Sequence, residues 1–204
     1  MNANFWQGER IKLRAIEPSD AEAHFSWNQD SEMARFLDQV WFPSSLESVR
    51  RWAEKTSTQP PEGDAFHWVI EDTQGELVGM INSHHCDRRT GTFEYGVAVR
   101  REHQCKGYAS EAIMLVLRYF FEELRYQKVT VHIQGNNTPS IRLHERLGFQ
   151  LEGRLRRMAY TQGQFHDELV YGLAIEEYQA WLEEGSQGSA RSSASGRTRR
   201  EDDH

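Results

Sequence analysis

Apolar and polar residues alternate along Ile11-Lys-Leu-Arg-Ala-Ile16, which predicts a first strand. Pro18-Ser19-Asp20 then predicts a helix running to about Asn28, with Ser19 or Asp20 as its cap. Pro43-Ser44-Ser45 announces a second helix near Ser45–Lys55. Between them lies a stretch rich in Trp, Phe and acids with no clear period. After the loop Gln59-Pro-Pro-Glu-Gly63, strands are predicted over Phe66–Glu71, Leu77–His84 and Phe93–Val99, separated by Thr73-Gln74-Gly75 and Arg88-Arg89-Thr90-Gly91. A long amphipathic helix (about Ser110–Leu124) and a strand over Lys128–Ile133 follow. Thr138-Pro139 predicts a short helix capped by Thr138 and closed by Gly148. Two last strands, Phe149–Tyr160 and Phe165–Ala174, flank Gln162-Gly163, and a helical turn or two is expected over Ile175–Glu184. This order predicts an α/β fold: a central twisted mixed β-sheet flanked by helices.

Composition sharpens the picture in two places. The chain of 204 residues is long enough for one domain with a sizeable core, expected over residues 1–184. Residues 185–204 are Ser/Gly/Arg-rich without a large apolar side chain, and disorder is predicted there. The formal net charge is −7, and the last twenty residues hold four Arg against three acids, so residues 1–184 carry −8. A body this acidic does not suit nonspecific nucleic-acid binding; it either attracts cations such as amines or serves solubility alone. The two cysteines, Cys86 and Cys105, make no disulfide framework and no CxxC pair, which fits a reducing, cytoplasmic setting. No signal-peptide pattern and no membrane-length apolar run is read. His84-His85-Cys86-Asp87 invites a metal reading, but no second ligand cluster stands at structural-zinc spacing, so a hairpin end is expected and no metal.

The segment with the most chemistry is Gln104-Cys-Lys-Gly-Tyr-Ala109, a glycine-bearing turn between a strand and a helix. Backbone N–H groups at a helix start lack partners, and the positive end of the helix dipole stands behind them. The turn is therefore a candidate anion site suited to a pyrophosphate. A Walker loop is excluded because Lys106 precedes Gly107 and no Ser or Thr follows directly, and the Gly-x-Gly-x-x-Gly fingerprint is absent.

Three features then coincide: this turn, Asn136-Asn137-Thr138-Pro139-Ser140 after the next strand, and Glu145-Arg146-Leu147-Gly148-Phe149 closing the next helix. Together they resemble the GNAT superfamily of acyl-CoA-dependent N-acetyltransferases over about residues 9–178. Glu152-Gly153 and the Gln162-Gly163 hairpin resemble the branch that acetylates ribosomal-protein N-termini, with its polyamine and antibiotic relatives. The resemblance implies acetyl-CoA as cosubstrate, held by the backbone of Gln104, Cys105, Lys106, Gly107, Tyr108, Ala109 and Ser110. Pantetheine would run along Val97, Ala98 and Val99, with contacts to Asn137 and Ser140, and a backbone N–H on that strand would face the thioester oxygen. Glu94, in the apolar strand Phe93-Glu94-Tyr95-Gly96-Val97, is the candidate base, which partial burial would tune toward neutrality. Much of the superfamily carries a proton-donating Tyr four residues after the Ser. This chain has His144, so the acid is Ser140, His144 or water. The acceptor wall is expected from Trp27, Asn28, Asp30, Glu32 and Trp41, with Asp167 and its neighbour His166 bordering it from the last hairpin. The acceptor would be a primary amine: a protein N-terminus, a polyamine or a small-molecule amine. Relatives often form homodimers, which the resemblance carries here as an expectation. The competing reading is a degenerate domain that senses acyl-CoA or docks a partner without turnover.

Overall fold

The computed structural model describes residues 4–37 and 40–184. Alternation sets the strands. In β1 (Ile11–Ala15) Ile11 and Leu13 are buried while Lys12 and Arg14 turn away. β2 (Phe66–Asp72), β3 (Leu77–Asp87) and β4 (Thr92–Val99) form the predicted meander. β5 (Lys128–Gln134), β6 (Gln150–Thr161) and β7 (Gln164–Ala174) complete one seven-stranded sheet in the order β1-β2-β3-β4-β5-β7-β6. Every neighbouring pair is antiparallel except β4 and β5, which run parallel.

Helices cover both faces. α1 (Ala21–Trp27) and α3 (Leu46–Thr58) pack on one side around Ile16, Ala21, Val49, Ala53, Val69 and Leu77. α2 (Ser31–Leu37) lies between them in sequence. The larger core holds α4 (Tyr108–Arg118), α5 (Thr138–Arg146) and α6 (175–184) through residues such as Ile113, Val116, Leu147 and Tyr178, against Phe93, Val129 and Leu173 of the sheet. Burial of this apolar set is the main stabilising term.

Several boundaries differ from the sequence reading. α2 was not expected. Its first turn is held by Asp30, whose Oδ1 accepts the Met33 N–H at 3.0 Å, so an acid read as acceptor wall is a helix cap. The entry to α1 is a 3-10 turn, Pro18–Asp20, and Asp20 reaches back to accept the Glu17 N–H at 2.8 Å instead of capping forward. Arg14 locks that carboxylate with bonds of 2.8 and 2.9 Å. α4 starts two residues earlier than expected and runs on as a π-helical turn, Tyr119–Glu123. α5 is capped by Asn137, not Thr138: its Oδ1 accepts the Ser140 N–H at 3.2 Å, and Thr138 and Pro139 fill the first two helical positions. α6 is nearly three turns rather than one or two. The expected tail, 185–204, lies outside the described residues.

The functional consequence sits in the parallel pair. β4 and β5 match only at Thr92↔Lys128, Phe93↔Val129 and Glu94↔Thr130. Beyond Glu94 they part: β4 continues against β3 alone, and β5 against β7 alone. A wedge therefore opens in mid-sheet with Glu94 at its vertex.

Candidate active site

One wall of the wedge is the free edge of β4. Arg100 N–H bonds the Val78 carbonyl on β3, and the Ala98 carbonyl lies so close to Gly79 that a Cβ there would come within 2.4 Å of it. Even-numbered backbone groups of this strand thus face β3, and by alternation the N–H and C=O of Val97 face the gap. Of the three residues expected to pair with pantetheine, Val97 presents both groups. Ala98 is turned toward β3, and the Val99 carbonyl accepts the Gln104 side-chain amide at 3.1 Å. Gln104 therefore braces the turn against the end of the strand.

The turn has the form the sequence implies. Gly107 is the N-cap of α4 with φ 85° and ψ 0°, a left-handed conformation that a Cβ disfavours, and no side chain caps this helix. The first helical bond runs from Glu111 N–H to the Gly107 carbonyl, so the N–H groups of Tyr108, Ala109 and Ser110 have no partner within the helix. Cys105 is also left-handed, with φ 61°, and is an exposed free thiol; Lys106 is exposed. An uncapped, positively polarised helix end at the head of an open strand edge fits a diphosphate followed by an extended pantetheine arm.

Sequence reasoning missed Arg10. Its guanidinium lies over the turn, such that a Cβ on Gly107 would come within 3.1 Å of Nη1. The Arg10 backbone N–H is anchored by Glu111 in the first turn of α4, with bonds of 3.0 and 3.3 Å. A cation thus stands beside the candidate phosphate site, brought from ninety-odd residues away where no local pattern links the two.

On the opposite wall, Asn137 caps α5 through its oxygen, so its NH₂ is not spent on the cap. Ser140 Oγ lies 3.4 Å from His144 Nδ1, and that nitrogen lies 2.8 Å from the Ser140 carbonyl. A carbonyl only accepts, so Nδ1 carries the proton and donates it there. His144 is 3 % exposed, stacked on Tyr95 with ring centres 5.9 Å apart and set edge-on to Phe149 at 5.1 Å. Burial lowers its pKa, the Ser140 carbonyl only partly opposing this, and the ring is neutral at pH 7. Its one proton is committed and its Nε2 is a buried lone pair without a partner. This geometry argues against His144 as the proton donor considered from the sequence, and it is no surface residue either.

Glu94 is partly buried, and the groups around its carboxylate are polar. Its side chain is 26 % exposed and faces three imidazoles: Oε2 lies 3.1 Å from His85 Nδ1, 3.5 Å from His84 Nε2 and 4.0 Å from His132 Nε2. The carboxylate stays accessible at the vertex of the wedge.

The acceptor-side residues divide. Asp30 is spent on Arg101, with bonds of 2.7 and 3.1 Å, and the Arg101 side-chain bond is the leading cause of its lowered pKa. Glu32 pairs with Arg35 at 3.4 Å. Trp27 stacks on His24 and packs into the smaller core, and Asn28 is the C-cap of α1. Trp41 is half exposed and Phe42 almost wholly so. Asp167 accepts the Arg157 N–H at 2.9 Å and pairs with Arg154 at 2.5 Å. It lines a cavity of about 330 Å³ with His166, Phe165, Arg154, Asn136 and Gly135, next to the Asn137 cap. Of these acids, none presents an unpaired carboxylate to a cation.

Comparison with known proteins gives the family and the fold. Residues 10–150 match the model of the acetyltransferase (GNAT) domain. The prophage-derived N-acetyltransferase YokL of Bacillus subtilis strain 168 is 41 % identical over 179 residues, covering 88 % of this chain and 98 % of that one. A spermidine N(1)-acetyltransferase of Vibrio cholerae is 26 % identical over 158 residues, covering 78 % and 89 %. In fold, the chain superposes on a Vibrio cholerae spermidine N-acetyltransferase solved with CoA and spermine, with a TM-score of 0.73 at 22 % identity over 84 % of this chain and 99 % of that one. No helix among the described residues is long and apolar enough to cross a membrane. With the splayed β4 and β5, the uncapped glycine turn and the family match all in one place, the chain belongs to the GNAT family and is an N-acetyltransferase, of a family that uses acetyl-CoA.

Proposed function

We propose that this N-acetyltransferase moves the acetyl group of acetyl-CoA directly to a primary amine, at a protein N-terminus, on a polyamine or on another small molecule. The observation that carries this reading is the parting of β4 from β5 at Glu94, in line with the uncapped start of α4. The N–H groups of Tyr108, Ala109 and Ser110, with Arg10 at the rim, would hold the diphosphate. The backbone of Val97 and the Asn137 NH₂ would align the pantetheine arm. Acetyl-CoA supplies an activated acyl carbon.

An alkylammonium has a pKa near 10, so an amine must shed a proton before it attacks. Glu94 stands where that proton would go, directly or through one water. The amine nitrogen then bonds the carbonyl carbon, the C–S bond breaks, and the N–H of Val97 faces the developing oxyanion. A thiol has a pKa near 8.5, so its thiolate needs only a weak donor. Ser140 or a water fills that role, because the His144 proton is engaged elsewhere.

The test is thiol release from acetyl-CoA with a panel of spermidine, N-terminal peptides and aminoglycosides, on wild type and Glu94→Gln. The substitution should lower kcat by about 10²- to 10⁴-fold at neutral pH while leaving acetyl-CoA affinity nearly intact. A pH–rate profile that Glu94→Gln does not alter would remove Glu94 from the mechanism. Tight acetyl-CoA binding with no thiol released by any amine would overturn the transfer reading in favour of a sensor.

A further inference from the structure

Consecutive strand residues normally point to opposite faces of a sheet. His84 and His85 do not. His85 has φ 48°, within the irregular stretch of β3 between His84 and Asp87, and this left-handed step swings its ring to the side of Glu94. His84 reaches the same carboxylate as its direct partner across the β3–β4 ladder. The ligating atoms of His84, His85 and Glu94 all lie within 4.8 Å of one another. Ligand atoms around a tetrahedral Zn²⁺, each about 2.0–2.2 Å from the ion, stand about 3.3–3.6 Å apart. The separations from Glu94 Oε2, 3.1 Å to His85 Nδ1 and 3.5 Å to His84 Nε2, lie within about 0.2 Å of that edge.

A fourth group stands near this cluster. His132, on β5 across the vertex, has Nε2 4.0 Å from the same oxygen, and its Nδ1 lies 2.8 Å from Glu168 Oε1. A carboxylate accepts, so Nδ1 is the donor, and in the neutral ring Nε2 carries the lone pair toward Glu94. A carboxylate holding the far nitrogen of an imidazole is the usual support of a metal-bound histidine. The ligands come from three strands, which is why His84-His85 alone, without Glu94 and His132, did not disclose a site.

We propose that His84, His85 and Glu94 bind a late first-row divalent cation, with His132 across the vertex closing in as the fourth ligand, Zn²⁺ being the best match to imidazoles and a carboxylate, and that its binding silences acetyl transfer. The silencing rests on the proposed role of Glu94 as base: a cation on Oε2 takes the lone pair that would accept the amine proton. Metal binding itself rests only on the ligand geometry.

The test uses full-length, tag-free protein carrying Cys86→Ser and Cys105→Ser, so that no thiol competes. Co²⁺ titration followed by visible absorbance reports tetrahedral ligation, and Zn²⁺ calorimetry gives stoichiometry and affinity. One equivalent should bind, and His85→Ala and His132→Ala should each weaken it by about tenfold or more. Circular dichroism confirms that each variant is folded, and inhibition is read as the rate ratio with and without Zn²⁺ within each variant. No binding, or binding indifferent to both histidine substitutions, overturns the site. Binding that depends on both histidines while the rate ratio stays at unity overturns the silencing, and with it the assignment of Glu94 as base, but leaves the metal site standing.

Discussion

Gly107→Ala separates the two demands placed on the glycine turn. At φ 85° an L-residue costs about 1–2 kcal/mol relative to glycine. The new Cβ would meet Arg10 Nη1 at 3.1 Å, Cζ at 3.8 Å and Cδ at 4.0 Å, all atoms of an exposed, flexible side chain that can move aside. Packing therefore adds little, and for a chain of this size the melting temperature should fall by about 2–8 °C. Cofactor binding should suffer more. A turn relaxing out of the left-handed region re-aims the N–H groups of Tyr108 and its successors, and the loss of one charge-assisted bond costs about 1.5–3 kcal/mol. That corresponds to about 10- to 150-fold in the dissociation constant of acetyl-CoA. The control is Gly75→Ala in the β2–β3 turn: its φ is 82° and a Cβ there meets nothing within 4 Å, so it carries the same conformational cost away from the site. Calorimetric titration with acetyl-CoA and a thermal melt on both variants decide the matter. If both lose similar stability and neither changes the affinity by more than about twofold, the turn does not hold the diphosphate.

Arg10→Gln should weaken acetyl-CoA binding by about tenfold at low salt, with the difference shrinking as ionic strength rises, because the guanidinium acts at an exposed rim; a salt-independent loss in titrations would assign it a structural role instead. Asp30→Asn should change the amine KM by less than about threefold and stability little, since the carboxylate serves an exposed pair with Arg101; a large rise in KM would show that the amine reaches Asp30. His144→Phe should flatten the pH dependence of stability. The folded pKa of His144 lies below its unfolded value of about 6.5, so below that pH the unfolded chain binds more protons and stability falls, by at most about 1.4 kcal/mol per pH unit for this group. Buried His24 contributes in the same sense, its pKa also lowered by burial, and keeps a residual slope. Urea melts from pH 7.5 to 5 check this, and an unchanged slope would mean that His144 protonates freely when folded.

The parts of the fold that could be read in advance are those written in neighbouring residues. Alternation marked the meander, Ser45 marked the start of α3, and Gly107 and Gly148 marked a turn and a stop, because each signal acts within a few positions of itself. Errors arose where two neighbours could do one job. Asn137 and Thr138 are both able caps, and only the fold of β5 into α5 selects Asn137. α2 escaped because its seven residues are too few for a helical period to stand out, and its cap, Asp30, had been given a role toward substrate. Arg10 over Gly107 and His132 beside Glu94 depend on strand order, which no local pattern encodes.

The same distinction governs the acidic composition. A net charge of −7 argued for attraction of cationic acceptors, yet composition counts charges without asking what faces them. In the fold Asp30 meets Arg101, Glu32 meets Arg35, Asp167 meets Arg154 and Asp20 meets Arg14. These pairs spend the carboxylates within the fold. Asp30 in particular ties the start of α2 to the 3-10 turn Arg101–His103 just before the glycine bend. Glu94 differs from all of them: the groups that face its carboxylate among the described residues are three imidazoles and not a guanidinium. The vertex of the wedge is thus set apart from the other acids by what surrounds its carboxylate, and that is the property a proton acceptor and a metal ligand have in common.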